Sequence, residues 1–104
     1  MVTFQETIKI IEIFYTYSPT RFSNGCDNDL VTNESGDNEG SCKIFSFALL
    51  HNLSKDQTLS CFGDYYRVDV LQHANGNNHA NIRTFIKHGW EHLQFSGHAL
   101  AALQ

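Results

Sequence analysis

Phe4, Ile8, Ile11 and Tyr15 recur at intervals of four, three and four, the repeat that lines one face of an α-helix. Thr3, with Glu6 three residues on, forms the reciprocal capping pair that starts one. The spacing predicts a first helix over 4–16, stopped by Pro19. A second row, Ile10, Ile13, Phe14 and Tyr17, makes this helix apolar around much of its circumference, which places it centrally, wedged between other elements.

From Ser18 to Gly40 the periodicity disappears, and Asn, Asp, Gly and Ser give the composition of turns. Two short islands, Arg21 to Ser23 and Leu30 to Thr32, predict a small hairpin with an irregular loop. Gly40 and Ser41 open a second helix with Phe45, Ala48 and Leu49 on one side and Ile44 and Phe47 beside them, ending near His51 and Asn52. Ser54 and Gln57 form another capping box, and Leu59, Phe62 and Tyr66 carry a third helix onward until it frays between Asp69 and Gln72. Gly63 inside it costs up to about 1 kcal/mol relative to alanine, so a kink or a close neighbour is expected there.

Asn75 to Asn78 read as a turn. Ile82, Phe85 and Ile86 then mark a fourth helix, which Lys87, His88 and Gly89 close with cationic side chains and a helix-stopping glycine. His92 to Phe95 alternate polar and apolar and predict a third strand beside the hairpin, while His98 to Gln104 read as weakly helical. The pattern therefore predicts one α+β domain over 1–104, mostly helical, with about four helices and a small antiparallel sheet. Its core is expected from Phe4, Ile8, Ile11, Phe45, Leu49, Phe62, Ile82 and Phe85.

Composition narrows the class. At 104 residues and 41% hydrophobic, the chain is one domain able to build a core without disulfides. Its three cysteines, Cys26, Cys42 and Cys61, make no paired framework and no C-x-x-C knuckle, which fits a reducing compartment. No apolar run approaches the roughly 20 residues that cross a bilayer, and the first residues lack the basic and apolar regions of a signal peptide. Cytoplasmic residence is the expectation. The net charge of −4 rests on an acidic stretch from Asp27 to Glu39, and the seven basic residues are scattered, which argues against nucleic acid as a partner. Six histidines titrating near 6.5 add a reserve of positive charge in mild acid and admit a pH-responsive surface.

Candidate chemistry is sparse. Cys42, in the first turn of the second helix, is the one candidate nucleophile, with His79, His51 or His73 as a base; the competing reading is a small buried hydrophobe. The acidic loop does not follow calcium-loop spacing. His88 and His92 are four apart, but Gly89 and Trp90 interrupt the helix and sequence places no third ligand, so no metal site and no cofactor is expected. Asp64, Tyr65, Tyr66 and Arg67, with Arg83, form a candidate polar cluster locking the third helix to the turn at Asn77 to Asn81, and Trp90 and Phe95 join the two tyrosines in a candidate aromatic patch.

The blocks Asn38 to Phe45, Cys61 to Leu71, and Asn81 to Arg83 with Gly89 and Trp90 together resemble the HopJ family, named for a type III effector of plant-pathogenic bacteria. Phe22 to Gly25 and Phe95 to Gly97 extend the resemblance over nearly the whole chain, and Ala74 stands where relatives often carry proline. The resemblance implies membership in a family with no established catalytic activity, and export through a type III apparatus by family name alone. It points to a non-enzymatic domain that binds another protein through exposed members of Tyr65, Tyr66, Arg67 and Trp90. The rival expectation is a small enzyme or small-molecule binder using Cys42, accompanied by Asp64, Arg67 and His79.

Overall fold

A computed structural model describes residues 2–103. Thr3 and Glu6 make the reciprocal capping box at the start of α1 (Phe4–Phe14), which ends two residues earlier than its periodicity predicts. Tyr15, Thr16 and Tyr17 leave the helix as β1 (Tyr15–Tyr17), as suits aromatic and β-branched side chains. The hairpin forms one residue later on each arm than predicted, as β2 (Phe22–Asn24) and β3 (Val31–Asn33), joined by a loop with a 3₁₀ turn at Asp27–Asp29. Two helices follow, α2 (Glu39–Leu50) and α3 (Lys55–Ser60), the latter opened by the Ser54/Gln57 capping box.

The third helix is broken where the sequence warns of it. Gly63 has φ +61°, and a Cβ there would stand 2.6 Å from the Phe4 backbone nitrogen, so the chain turns left-handed to let the start of α1 lie against it. Beyond the break the backbone resumes as a π-helical segment, Tyr65–Val70. After the turn come α4 (Ala80–His88), a 3₁₀ turn at Trp90–His92, β4 (Leu93–Phe95) and β5 (Leu100–Ala102).

The strands form two antiparallel sheets rather than one. β4 adds to the hairpin in the order β3-β2-β4, with Phe22 opposite both Asn33 and Phe95. β1 pairs with β5 in a separate ribbon, Tyr15 against Ala102 and Tyr17 against Leu100. Within the tail expected to be helical, Leu100–Ala102 is a strand and Gln104 lies outside the described residues: Ala and Leu favour helix locally, but pairing with β1 overrides that preference.

Ile11, Phe22, Ile44, Phe45, Leu59, Phe62, Ile82 and Phe85 make the centre of the core, and Phe45 touches the rings of Phe22, Phe62, Phe85 and Trp90. Two expectations fail. Leu49 is 47% exposed, and the outer row of α1 faces outward, Ile10, Ile13 and Phe14 being 45%, 53% and 59% exposed. One face of α1 packs on α2, so the helix is peripheral, not wedged.

A polar knot sits inside this apolar packing. Asn24, Asn33 and Asn81 are all buried, and they join the hairpin to the start of α4. The Asn24 amide donates to the Asn81 carbonyl at 2.9 Å and to Asn81 Oδ1 at 3.1 Å; Asn33 donates to the same Oδ1 at 3.1 Å. Asn81 returns a bond to Asn33 Oδ1 at 2.8 Å, an acceptor that also takes the Asn38 amide at 2.7 Å. Each buried polar group left without a partner costs about 1–3 kcal/mol. Asn81→Ala is expected to lower stability by about 2–4 kcal/mol, and Gln94→Ala, at an exposed position in β4, by less than about 0.5 kcal/mol. Urea unfolding of the two variants beside the parent measures both.

Candidate functional site

The knot fixes the first turns of α2 and α4, and between them lies a cleft of about 300 Å³. Its lining combines an apolar floor of Phe4, Val31, Phe62 and Ile82 with polar groups of Asn38, Ser41, Tyr65, His79 and Asn81. The two residues that precede the helices share an unusual conformation. Asn38 (φ 51°, ψ 50°) and His79 (φ 53°, ψ 53°) are both left-handed, and neither side chain caps its own helix. The first N–H groups of a helix have no acceptor within it, so the cleft meets two sets of such donors and the positive ends of two helix dipoles. Glu39, in the first turn of α2, does not line the cleft; it lies near Tyr17, whose phenol is raised first by burial and further by Cys42 and Glu39.

Several residues singled out from sequence meet here in changed roles. His79 Nε2 donates to Asp69 Oδ2 at 2.9 Å, and its ring stacks on Tyr65 with centroids 4.9 Å apart. Tyr65 in turn packs on Phe4, 4.8 Å between centroids. Arg83 is the centre of the polar lock. Its guanidinium donates to the carbonyls of Asp69 (3.1 Å), His73 (2.8 Å), Ala74 (3.4 Å) and Asn78 (2.6 Å), and to Asn78 Oδ1 (2.7 Å). The planar fork thus ties the end of the π-helical segment and the following turn to α4.

Asp64 and Arg67 are not part of that lock. Asp64 is exposed and stands 3.8 Å from Arg67, while Arg67 donates to the Val2 carbonyl at 2.6 Å and pins the start of α1. Trp90 donates to the Leu53 carbonyl at 3.1 Å and packs edge-on to Phe85; with Tyr65, Tyr66 and Phe95 it is half-buried against the core instead of forming an open patch.

The surroundings of Cys42 separate its two readings. Its side chain is 1% exposed, with Sγ directed at the Thr20 carbonyl at 3.6 Å, while His79 is engaged with Asp69. Burial pushes the thiol up, against opposing hydrogen bonds with Tyr17, Thr20 and Ser46, and Glu39 adds the smallest upward contribution. A thiol that is buried and kept protonated is a small hydrophobe, and the helix start that would have activated it is outweighed by desolvation.

A second cluster gathers at the other end of α4. Cys26 Sγ lies 3.6 Å from His88 Nδ1, and the His88 and His92 rings are 5.6 Å apart and nearly perpendicular. The ligand-bearing atoms of the three residues all fall within 4.8 Å of one another. Asp29 Oδ2 is bonded to His88 Nε2 at 2.9 Å and to Lys87 Nζ at 2.6 Å. Those bonds, from Lys87 first and His88 second, hold the Asp29 carboxyl below the usual carboxylate range, and Asp29 raises Lys87 in return. Sequence spacing brings His88 and His92 together but cannot reach Cys26, 62 residues before His88. The buried asparagines carry no local signal as a set, although Asn24, Asn38 and Asn81 stand in the blocks that carry the family resemblance and Phe22 and Asn24, two apart on a strand, share the face that reaches the core.

Cys61, like Cys42, is pushed up by burial. Below the unfolded-state value of about 8.5 both states hold the proton on these thiols; above it the unfolded chain ionises first, so stability falls as pH rises through the thiol range. Cys42 is expected to resist iodoacetamide in the folded protein up to pH 8 and to react once urea unfolds it. Mass mapping of the labelled cysteines, with urea titrations at pH 7 and 9.5, checks both outcomes.

Among the described residues, no helix is long and apolar enough to cross a membrane. A family model described as HopJ type III effector protein matches residues 1–100. A crystal structure titled as that of the unknown function protein VPA0580 is 47% identical, with a TM-score of 0.93, and the match covers 98% of this chain and 82% of that one. No curated protein matches the chain. With the family model spanning nearly its full length, this chain belongs to the HopJ type III effector family.

Proposed function

We propose that the cleft between α2 and α4 binds a small molecule bearing a carboxylate or phosphate group on an apolar body. The observation that carries this reading is the convergence of two uncapped helix starts on one preformed, mixed-polarity cavity. At about 300 Å³ the cavity is at the lower end of the range for small-ligand sites, so the ligand is compact. Backbone N–H groups of the first turns and the Ser41 hydroxyl supply donors, the His79 ring, held by Asp69, forms part of the lining, and Phe4, Phe62 and Ile82 supply the apolar wall. Neither Cys42 nor any other nucleophile is needed, since the reading is one of binding. Export through a type III apparatus is suggested by the family description alone.

Inorganic phosphate and citrate are the probes. Titration is expected to shift the amide resonances of Gly40, Ser41, Ala80 and Asn81, with an affinity on the order of 1 mM for such fragments, about 4 kcal/mol. His79→Ala is expected to weaken binding about tenfold, about 1.4 kcal/mol, with the fold retained. Shifts spread over surface lysines, with these four amides unmoved, would refute the reading.

A protein partner is the second reading, favoured by a different observation. Ile10, Ile13 and Phe14 form one exposed apolar row, Leu103 lies beside it through its backbone bond to Phe14 at 3.0 Å, and the adjoining β1–β5 ribbon is only two strands wide. Apolar side chains next to an unpaired strand edge suit a second copy of this chain. Sedimentation velocity is expected to give a dimer that Ile13→Lys converts to monomer; a monomeric parent protein would remove self-association.

A further inference from the structure

The residues around the C-terminal end of α4 carry chemistry that the cleft does not use. Cys26, His88 and His92 come from three separate elements: the loop after β2, the last turn of α4, and the 3₁₀ turn that follows it. We propose that Cys26, His88 and His92 form a binding site for one divalent transition-metal ion, zinc being the best fit, with Asp29 as the carboxylate that orients His88.

Geometry is the first support. A tetrahedral zinc with a thiolate at about 2.3 Å and an imidazole at about 2.0–2.1 Å separates sulfur from nitrogen by about 3.6 Å. The Cys26 Sγ to His88 Nδ1 distance is 3.6 Å. All three ligand atoms lie within 4.8 Å of one another, so closing on a metal asks for a shift of about 1 Å, within reach of a side-chain torsion.

The surroundings supply what a ligand set requires. His88 has one ring nitrogen toward Cys26 and the other on Asp29 at 2.9 Å. Holding the proton at Nε2 for Asp29 leaves the Nδ1 lone pair directed at the ion, the carboxylate–histidine–metal arrangement that fixes tautomer and ring orientation. Lys87 holds the same Asp29 oxygen at 2.6 Å, which anchors the carboxylate from the far side.

The backbone is built for this approach. Gly25, at φ +87°, lies so close to α4 that a Cβ would stand 2.5 Å from Thr84 Cγ2 and 2.7 Å from the Asp29 carbonyl oxygen. Its N–H donates to the His92 carbonyl at 2.9 Å, tying the Cys26 loop directly to the turn that carries the third ligand. Thiolate and imidazole together select zinc and its neighbours over magnesium or calcium, and a three-residue set leaves a fourth position for water or an exogenous ligand.

Cobalt(II) serves as the spectroscopic probe for chelator-treated full-length protein, and zinc as the competitor. The expected result is one cobalt per chain, a thiolate-to-cobalt charge-transfer band in the near ultraviolet, tetrahedral d–d absorption, and displacement of both by zinc. Cys26→Ser is expected to abolish the charge-transfer band and His92→Ala to weaken zinc binding at least tenfold. Asp29→Asn is expected to weaken it 10–100-fold with the band retained, the range found for partners that orient a ligand. His98→Ala, at an exposed histidine outside the cluster, leaves all of this unchanged. Near-ultraviolet circular dichroism of each variant establishes that it is folded. Absence of the charge-transfer band with cobalt in excess, or zinc affinity equal in the parent, Cys26→Ser and His92→Ala proteins, would overturn the proposal.

Discussion

The rest of the structure depends on the hydrogen-bonded asparagines between the hairpin and α4. Asn24 and Asn33 project from paired strands onto the face that carries Phe22, and Asn81 meets them from the first turn of the helix. Hydrophobic contact alone would let a helix slide or rotate on a three-stranded sheet, because burial is not directional. A set of amides that satisfy one another in a low-dielectric interior permits one arrangement, since a shift would strand several donors at once. Asn38 extends the same set to the start of α2, so the positions of both helix starts follow from one polar cluster. The single acceptor left over, Asn24 Oδ1, is a carbonyl-type oxygen, for which incomplete pairing is the cheaper defect.

With its start fixed by Asn81, α4 serves as the reference rod for everything attached to it. Nine residues span about 13 Å, with the cleft at one end and the Cys26, His88 and His92 cluster at the other. The charges follow the dipole: Lys87 occupies the last turn, where a cation is stabilised, and the electropositive start faces the cavity. Arg83 ties the side of the rod to one acceptor in the π-helical segment and four in the turn that follows it, and Lys55 donates to the Ile86 carbonyl at 2.9 Å, linking its last turn to α3.

The sequence was most legible where the governing interaction is local. Both capping boxes are present, because their partners are three residues apart, and the weak point at Gly63 is a left-handed break. Strand β4 lies beside the hairpin as its alternation implies. Legibility ends where distant residues decide. The second apolar row of α1 reads as buried because periodicity registers side-chain character, not whether anything covers it. Ala101 and Ala102 read as helical because the strand that captures them lies some 85 residues away. For the site, Tyr65 and Arg83 stand in the family blocks and His79 is a titratable candidate; Asn24, Asn38 and Asn81 stand in such blocks too, but nothing in the chain marks them, with Asn33, as one buried set. Nothing in the spacing of Cys26 foretells that it meets His88. For Cys42 the two readings part only in three dimensions: its position at a helix start is real, and its burial, a tertiary property, favours the small hydrophobe.

The β1–β5 ribbon imposes an order on how this protein is made. Among the described residues, residues 15–17 pair with residues 100–102, so the ribbon cannot zip until some 85 further residues have emerged from the ribosome. Until then α1 carries an unmatched strand behind it and an uncovered apolar row along its side. The hairpin and its contact with α4 join segments nearer in sequence, at a smaller loop-closure cost. The nascent chain therefore has a scaffold available around α4 before β1 and β5 can pair, and the interval between those events is when it most needs shielding from other chains.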